Sequence, residues 1–485
     1  MPRPNILLFM PDQQRTDCIG CFGNPAIHTP NIDALAARGM RFDNAWVNHP
    51  VCSPSRVNFM TSWYPHTRGH RTLTHLVQSH EPNFLRYMKD GGYHVAWAGN
   101  RGDVFAPGVT EASTHFAGWT TKRDGQYMGP QYDEGSPLYN TFYNGRRTGS
   151  DTWIDFDEAT TRTALDWLRG KPRGPFCLWM PLIFPHLPFE VEEPWYSLHD
   201  PTDLPRRISD QGTGKPAFHA AIRERYGTDR VTEDEWAEII RTYYGMVSRV
   251  DSQLGRVVQV LDEIGELDNT IIVYFTDHGE YIGDFGLVEK WPSGLDRCLL
   301  QNPVIMAGPG IPAGTTAATF TEMIDIAPTL MEIAGVTPDH THFGRSLVPL
   351  FSDPNAVIRD RAFSEGGFAL GEMDLLETAS GVYRNKAELQ HEQPHVVGKA
   401  ISMRTADYTY VYRLYEDDEL YDRQADPSET RNLVHDPTLA DTATKLKSEL
   451  LAWLFETSDV IPWAADPRFP KVPQGQHEEF HWNPE

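Results

Sequence analysis

The chain has 485 residues, of which 43 are lysine or arginine and 67 aspartate or glutamate, for a formal net charge of −24. An apolar fraction of 40% and an aromatic fraction of 11% are enough to bury a large core, which excludes wholesale disorder. The acidic balance argues against a basic face that tracks nucleic-acid phosphates, so an anionic ligand would have to be drawn by local cations or a metal ion.

Near the amino end, Arg3 is followed by the short apolar run Asn5 to Met10, which stops at Pro11-Asp12. It is too short for the apolar region of a signal peptide, and its unalternating character predicts a buried parallel strand. No window approaches the ~20 apolar residues that span a bilayer. The expectation is a cytoplasmic chain without a membrane partner. Thr29 as cap, Pro30 at the first position and Gly39 at the stop predict a helix. A second helix is predicted over Glu81 to Asp90, halted by Gly91-Gly92, and a strand over His94 to Ala98. Helix Glu158 to Leu168 and strand Phe176 to Leu182 follow. Thr232 and Glu235 form a capping-box pattern for a long helix reaching about Ile264, with an apolar stripe through Ile239, Tyr243, Val247, Val250, Leu254, Val257 and Leu261. Strand Thr270 to Phe275, short strand Val304 to Met306 and helix Asp325 to Ala334 complete the pattern.

This alternation predicts an α/β fold built on a large, mostly parallel sheet flanked by helices on both faces. Past about Arg359, the segments Tyr408 to Tyr415 and Glu419 to Tyr421 predict a smaller α+β subdomain with an antiparallel sheet. The division is a catalytic domain over 1–358, a C-terminal subdomain over 359–461 and a polar, Pro-rich arm over 462–485. Stretches 99–152 and 189–230, rich in Gly, Pro, Tyr and charge, read as long loops that carry specificity.

Functional groups in such sheets gather at the carboxyl ends of strands. Asp12-Gln13 and Asp277-His278 both sit there, far apart in sequence but equivalent in position. In Val51-Cys52-Ser53-Pro54-Ser55-Arg56, Ser53 is expected to cap a helix beginning at Pro54, leaving Cys52 at a helix N-terminus where negative charge is favoured. Cys52 is then either a low-pKa thiolate nucleophile or a buried cysteine beside a turn. Arg56, one turn on, is placed to reach whatever Cys52 carries. The remaining cysteines, 18, 21, 177 and 298, make no disulfide framework; Cys18 and Cys21 read as packed loop residues rather than a zinc or redox pair.

Cys52-x-Pro54-x-Arg56 resembles the signature of the type I sulfatase family, within the alkaline phosphatase superfamily. Asp12-Gln13, in a form found in the choline-sulfatase and phosphonate-hydrolase branches, also matches. So do Thr29-Pro30-Asn31-Ile32-Asp33, Thr276-Asp277-His278-Gly279-Glu280, Lys290, Pro185-His186-Leu187-Pro188 and the block from Glu419 to Leu433. The resemblance implies an alkaline-phosphatase-like fold and a Cys52 oxidised to formylglycine by a separate formylglycine-generating enzyme. It implies metal ligands Asp12, Gln13, Asp277, His278 and the modified Cys52, with Arg56 holding the hydrated aldehyde. An oxygen-rich site of this kind suits Ca²⁺ first, with Mn²⁺ or Mg²⁺ as alternatives. The diol oxygen would attack sulfur, His186 would serve the leaving oxygen, and Lys290 would contact the sulfate.

One departure stands out. Most sulfatases carry Gly-Lys-x-His where this chain has Gly99-Asn100-Arg101-Gly102-Asp103. Arg101 is the candidate replacement cation, with Asn100 beside it, and His70 or His75 the candidate replacement imidazole. Gly69-His70-Arg71-Thr72-Leu73 resembles carbohydrate sulfatases that act on uronic-acid saccharides. The leading function is hydrolysis of a small-molecule or saccharide sulfate ester, including aryl sulfates. The alternative is a phosphonate monoester or phosphodiester hydrolase on the same scaffold. A non-catalytic binding protein would be expected to lose Cys52, Asp277 or Arg56, and none is lost. A homo-oligomer is compatible with all three.

Overall fold

The computed structural model describes residues 3–123, 129–148, 154–209 and 211–460. Its centre is β1 (Asn5–Met10), paired in parallel with β5 (Phe176–Pro181) on one side and β6 (Thr270–Tyr274) on the other. Every residue of these three strands is buried, as their unbroken apolar character requires. Leu7 and Phe9 enter one apolar cluster; Ile6, Leu8 and Met10 enter another on the opposite face.

Five more strands complete the eight-stranded sheet: β2 (Gly39–Phe42), β3 (His94–Ala98), β4 (Phe116–Gly118), β7 (Val304–Ala307) and β8 (Thr315–Ala317). Their order is β8-β2-β7-β6-β1-β5-β3-β4. Only β7 runs against its neighbours; the other pairings are parallel. Helices α1 (Pro30–Arg38), α4 (Phe156–Arg169) and α5 (Glu233–Glu263) cover one face, and α2 (Cys52–Thr61), α3 (Phe84–Asp90) and α6 (Ile326–Ala334) the other. The mostly parallel sheet with helices on both faces is the architecture that the alternation of apolar segments predicts.

The capping box of α5 is complete: Thr232 accepts from the Glu235 backbone, and the Glu235 side chain accepts from that of Thr232. Its apolar stripe is buried from Ile239 to Leu261. Other helix ends differ from expectation. Helix α3 begins at Phe84 rather than near Glu81, because Asn83 caps it and Glu81 turns back to Gln78. Thr29 does not cap α1; its hydroxyl accepts from Gly20 and donates to Asp33. Gly39 adopts an extended conformation and starts β2 at once. A Cβ there would lie 2.1 Å from the Met306 carbonyl oxygen, so the tight β2–β7 approach demands glycine.

Beyond the large sheet, β9 (Ala362–Gly366), β10 (Ala400–Arg404), β11 (Tyr408–Arg413) and β12 (Glu419–Asp422) form an antiparallel sheet in sequential order. Helix α7 (Ala440–Glu456) packs on it through Leu446, Leu450 and Trp453, the last stacked on Phe363 at 4.2 Å. The stretches expected to be loops hold more structure than composition implied, including a parallel pairing of Tyr143–Arg146 with Phe189–Val191 and a helix over Ala217–Tyr226. Residues 124–128 and 149–152 of the first stretch, residue 210 of the second, and the expected arm 462–485 lie outside the described residues. No helix among the described residues is long and apolar enough to cross a membrane.

Candidate active site

Four adjacent parallel strands, β6-β1-β5-β3, release their chains at the same edge of the sheet. Each contributes. Asp277-His278 follow β6, Asp12-Gln13 follow β1, His186 follows β5 and Arg101 follows β3. The register Phe9↔Tyr274 sets the first two clusters side by side, and the Gln13 backbone N–H donates to Asp277 Oδ1 at 3.0 Å. Helix α2 brings Cys52 to the same point.

The ligand atoms of Asp12, Cys52, Asp277 and His278 lie within 4.8 Å of one another, and all four residues are buried. Cys52 Sγ is 3.2 Å from His278 Nε2 and 3.8 Å from Asp12 Oδ1. His278 Nδ1 lies 2.8 Å from the Gly279 carbonyl oxygen, so it carries the proton and Nε2 turns its lone pair to the cluster. Arg56 is fully buried and grips the acids rather than Cys52. Its Nη2 meets Asp12 Oδ2 at 2.7 Å, its Nε meets Asp277 Oδ2 at 2.9 Å, and its Nη1 meets Asp103 Oδ1 at 3.0 Å. The Oδ2 atoms of Asp12 and Asp277 are thereby engaged, which leaves both Oδ1 atoms directed towards His278.

Cys52 is the first residue of α2, with Val51 at the cap position; Ser53 does not cap the helix as expected. The Val51 N–H instead donates to His49 Nδ1 at 3.1 Å. Burial, reinforced by Asp12, pushes the Cys52 thiol up from its ordinary value. The helix N-terminus therefore does not make it a low-pKa thiolate here. Burial alone would raise the Asp12 carboxyl too, but the Arg101 and Arg56 guanidiniums outweigh it and hold it well below the usual range.

A ring of polar partners surrounds this group. Arg101 Nη1 pairs with Asp12 Oδ2 at 2.5 Å and its Nε with Asp103 at 3.0 Å, which puts a cation at the position that departs from the family pattern. Gln13 has a left-handed backbone, φ 62, and its side-chain amide donates to Glu280 while its Oε1 accepts from Lys290 Nζ at 2.7 Å. Lys290 Nζ also lies 2.9 Å from His186 Nε2 and 2.9 Å from Glu289. Glu289 is bound on its far side by Lys386 at 2.9 Å; its flanking lysines overcome burial and bring its carboxyl down to about 2.

Other expected site residues fall elsewhere. His70 lies between the His75 carbonyl oxygen at 2.8 Å and Glu81 at 3.2 Å, and His75 Nδ1 meets Thr72 at 2.6 Å. None of these contacts reaches the Cys52 group. Asn100 is exposed, with φ 40, at the turn after β3. Sequence reasoning assigned no role to Asp103, Glu280, Glu289 or Lys386. Asp103 and Glu280 stand inside the quoted motifs, and their acidic side chains beside expected cations or ligands were the available signal. Lys386 carried none.

Two carboxylate oxygens, one imidazole nitrogen and the Cys52 side chain, converging in a buried site, are a donor set that fits a divalent cation.

Comparison with known proteins places this geometry. The Sulfatase family model matches residues 4–336, which include every residue of the four-membered group. The uncharacterized sulfatase YidJ of Escherichia coli (strain K12) is 27% identical to this chain, with 96% of this chain and 92% of the relative covered. The N-acetylglucosamine-6-O-sulfatase of Bacteroides thetaiotaomicron is 24% identical, with 94% and 86% covered. The crystal structure of a phosphonate monoester hydrolase of Agrobacterium radiobacter shares the fold, with a TM-score of 0.75 at 23% identity, covering 94% of this chain and 96% of that one. With strand-end acids, a helix-borne cysteine and most of its length matched to one family, the chain belongs to the sulfatases, hydrolases of the alkaline phosphatase superfamily.

Proposed function

We propose that the chain hydrolyses a sulfate monoester, using Cys52 converted to formylglycine and one divalent cation held by Asp12, Gln13, Asp277 and His278. The observation that carries this reading is the convergence of Asp12, Cys52, Asp277 and His278 at the N-terminus of α2. Hydrated formylglycine supplies the attacking oxygen, and a bound dication supplies the charge that ionises it. Arg56 fixes both carboxylates so that their Oδ1 atoms stay directed inward. Arg101 and Lys290, on opposite sides of Asp12-Gln13, spread the charge of the transferred group. The proton for the departing alkoxide comes from the Lys290–His186 pair, in which the ammonium is the donor and the imidazole steers it.

The two carboxylates and the Gln13 carbonyl suit Ca²⁺, Mg²⁺ or Mn²⁺, and the His278 nitrogen moves the balance towards Mn²⁺. The fold shared with a phosphonate monoester hydrolase supports a second reading, phosphonate monoester or phosphodiester hydrolysis on the same scaffold.

Peptide mass spectrometry of position 52, metal analysis and a panel of aryl sulfate, aryl phosphonate and phosphodiester test the reading together. Conversion lightens the residue by roughly 18 Da. Turnover with an unmodified thiol removes the formylglycine mechanism. Phosphonate turnover without sulfate turnover selects the second reading. Arg101→Ala with undiminished turnover removes Arg101 from the charge-bearing set.

A further inference from the structure

The long connection after β3 and the segment after β9 are clasped together beside the charged group. Asn385 Nδ2 donates to Asn140 Oδ1 at 2.8 Å, and Arg384 pairs with Glu134 at 2.9 Å. Between them lies a cavity of about 110 Å³ walled by Tyr132, Tyr139, Phe142, Tyr143, Leu187 and Tyr383. The rings are ordered against one another: Phe142 to Tyr383 at 5.4 Å between centroids, and Tyr132 to Tyr143 at 6.0 Å. Among the described residues no charged side chain lines it; the polar amides are Gln131 and Asn144.

Two wall residues tie the cavity to the chemistry. Leu187 directly follows His186, whose imidazole meets Lys290. Tyr383 is half-buried and stands at the cap position of the helix Arg384–Glu392, whose Lys386 pairs at 2.9 Å with Glu289, the partner of Lys290. No hydrogen bond among the described residues engages the Tyr383 hydroxyl. Tyr383 thus presents a ring to the apolar cavity one helical turn from the Lys386–Glu289–Lys290 chain.

We propose that this cavity is the leaving-group site, that it takes one flat, uncharged six-membered ring, and that Tyr383 is the specificity-determining contact between ring and ester. The inference rests on the sulfate-ester reading above. Size argues against anything larger than a single ring, since the cavity of about 110 Å³ is below the ~150 Å³ of one that admits benzene and far below the ~300 Å³ at which drug-sized sites begin. Aromatic walls favour flat faces, whether a phenyl ring or the apolar face of a pyranose. A carboxylated or N-sulfated ring would bury its charge with no cation to meet it, at a prohibitive desolvation cost.

The test compares full-length wild-type protein with a variant at Val382, which also lines the cavity: Val382→Trp, whose indole fills it, assayed on phenyl sulfate, glucose 6-sulfate, N-sulfated glucosamine 6-sulfate and ethyl sulfate. Wild type should prefer the two neutral-ring esters, and the balance between those two separates an aryl from a sugar leaving group. In Val382→Trp, kcat/KM for the preferred ring ester should fall about tenfold more than for ethyl sulfate. Tyr383→Ala should lose the same preference and covers the case in which Val382→Trp does not fold. Equal losses on ring and ethyl esters, or a wild-type preference for the charged sugar, overturn the proposal. Calorimetric binding of phenol and methyl glucoside separates this inference from the reaction itself. Ring binding that disappears in Val382→Trp, in a protein that turns over no sulfate ester, keeps the cavity and discards the sulfatase reading. Ring binding that is absent, or equal in both proteins, discards the cavity.

Discussion

Lys290 Nζ stands 2.9 Å from His186 Nε2, and on the other side of the same ring Nδ1 lies 2.7 Å from the Leu187 carbonyl oxygen. The carbonyl can only accept, so Nδ1 carries the hydrogen and Nε2 offers its lone pair to the ammonium. Burial, then Lys290, push the imidazole down to about 3. His186 is therefore neutral throughout the physiological range, and the proton between the two residues belongs to Lys290.

Lys290→Met should accordingly act on rate and on pH profile together. Loss of the ammonium is expected to lower kcat by about 10²–10³, the scale of one preorganised donor at developing charge. It also removes a cation that depresses His186, so the acid limb of the profile should move up towards the ordinary imidazole range. A variant with wild-type kcat, or one whose acid limb stays in place, would show that the pair has no part in proton transfer.

Glu280 reaches the site through another residue. Its carboxylate receives the Gln13 side-chain amide and the backbone N–H groups of Ile282 and Glu289, which turns Gln13 Oε1 away from itself and fixes the loop between the two motifs. Glu280→Gln should weaken divalent-metal affinity by about 10- to 100-fold, the usual cost of disturbing a group that orients a ligand. Metal competition titrations read this directly, and unchanged affinity would remove Gln13 from the coordination set.

How much of this was legible in the sequence depended on distance along the chain. Asp12 and Asp277 were readable because each ends an apolar strand, and parallel neighbours deliver their ends to one edge whatever their separation. Thr232 and Glu235 were readable because a capping box is a local exchange of two hydrogen bonds. Thr29 and Ser53 looked like caps by the same local rule and were not. The Thr29 hydroxyl is taken by Gly20 and Asp33, and the helix that Ser53 was meant to start already begins at Cys52. Arg56 stood out by its spacing from Cys52, but pattern alone does not show that its fork meets two carboxylates. His70 was matched by residue type and spends its hydrogen bonds on Glu81 and a carbonyl. The link from Lys386 through Glu289 to Lys290 exists only because the chain folds back from beyond β9, and no periodicity encodes it.

The buried histidines make stability depend on pH in a readable direction. His340 donates from Nε2 to the Thr61 carbonyl at 2.9 Å and is pushed by burial from 6.5 down to about 4. Its folded pKa lies below its unfolded one, so the unfolded chain takes up the proton first as pH falls. The stability this neutral ring contributes is present above about 6.5 and is lost progressively between 6.5 and 4. Asp157 works oppositely, because burial and Asp155 raise it to about 7, so total stability is not diagnostic. The difference between wild type and His340→Gln is. Urea midpoints should lie furthest apart near pH 7.5 and converge by pH 4.5, and a constant gap would assign His340 a packing role alone.

Arg359 joins three parts of the molecule through one guanidinium. Its Nε and Nη2 meet the two oxygens of Asp325 at 2.8 and 2.6 Å, and its Nη1 meets Glu322 at 3.1 Å. Asp325 and Glu322 precede α6, Glu322 also accepts from the Phe363 N–H in β9 and from the Tyr64 hydroxyl, and Arg359 itself lies just before β9. All three charged side chains are almost fully buried, so removing the cation strands two carboxylates where water does not reach. Arg359→Ala should cost about 3–5 kcal/mol, far more than an exposed pair, which is worth up to about 1 kcal/mol. Arg359→Lys should fall between, because an ammonium keeps the charge but cannot match the fork that Asp325 accepts. Urea unfolding at constant slope measures both, and an alanine variant within about 1 kcal/mol of wild type would mean that the two acids take up protons or water on losing their partner, leaving the anchor at the start of α6 intact without Arg359.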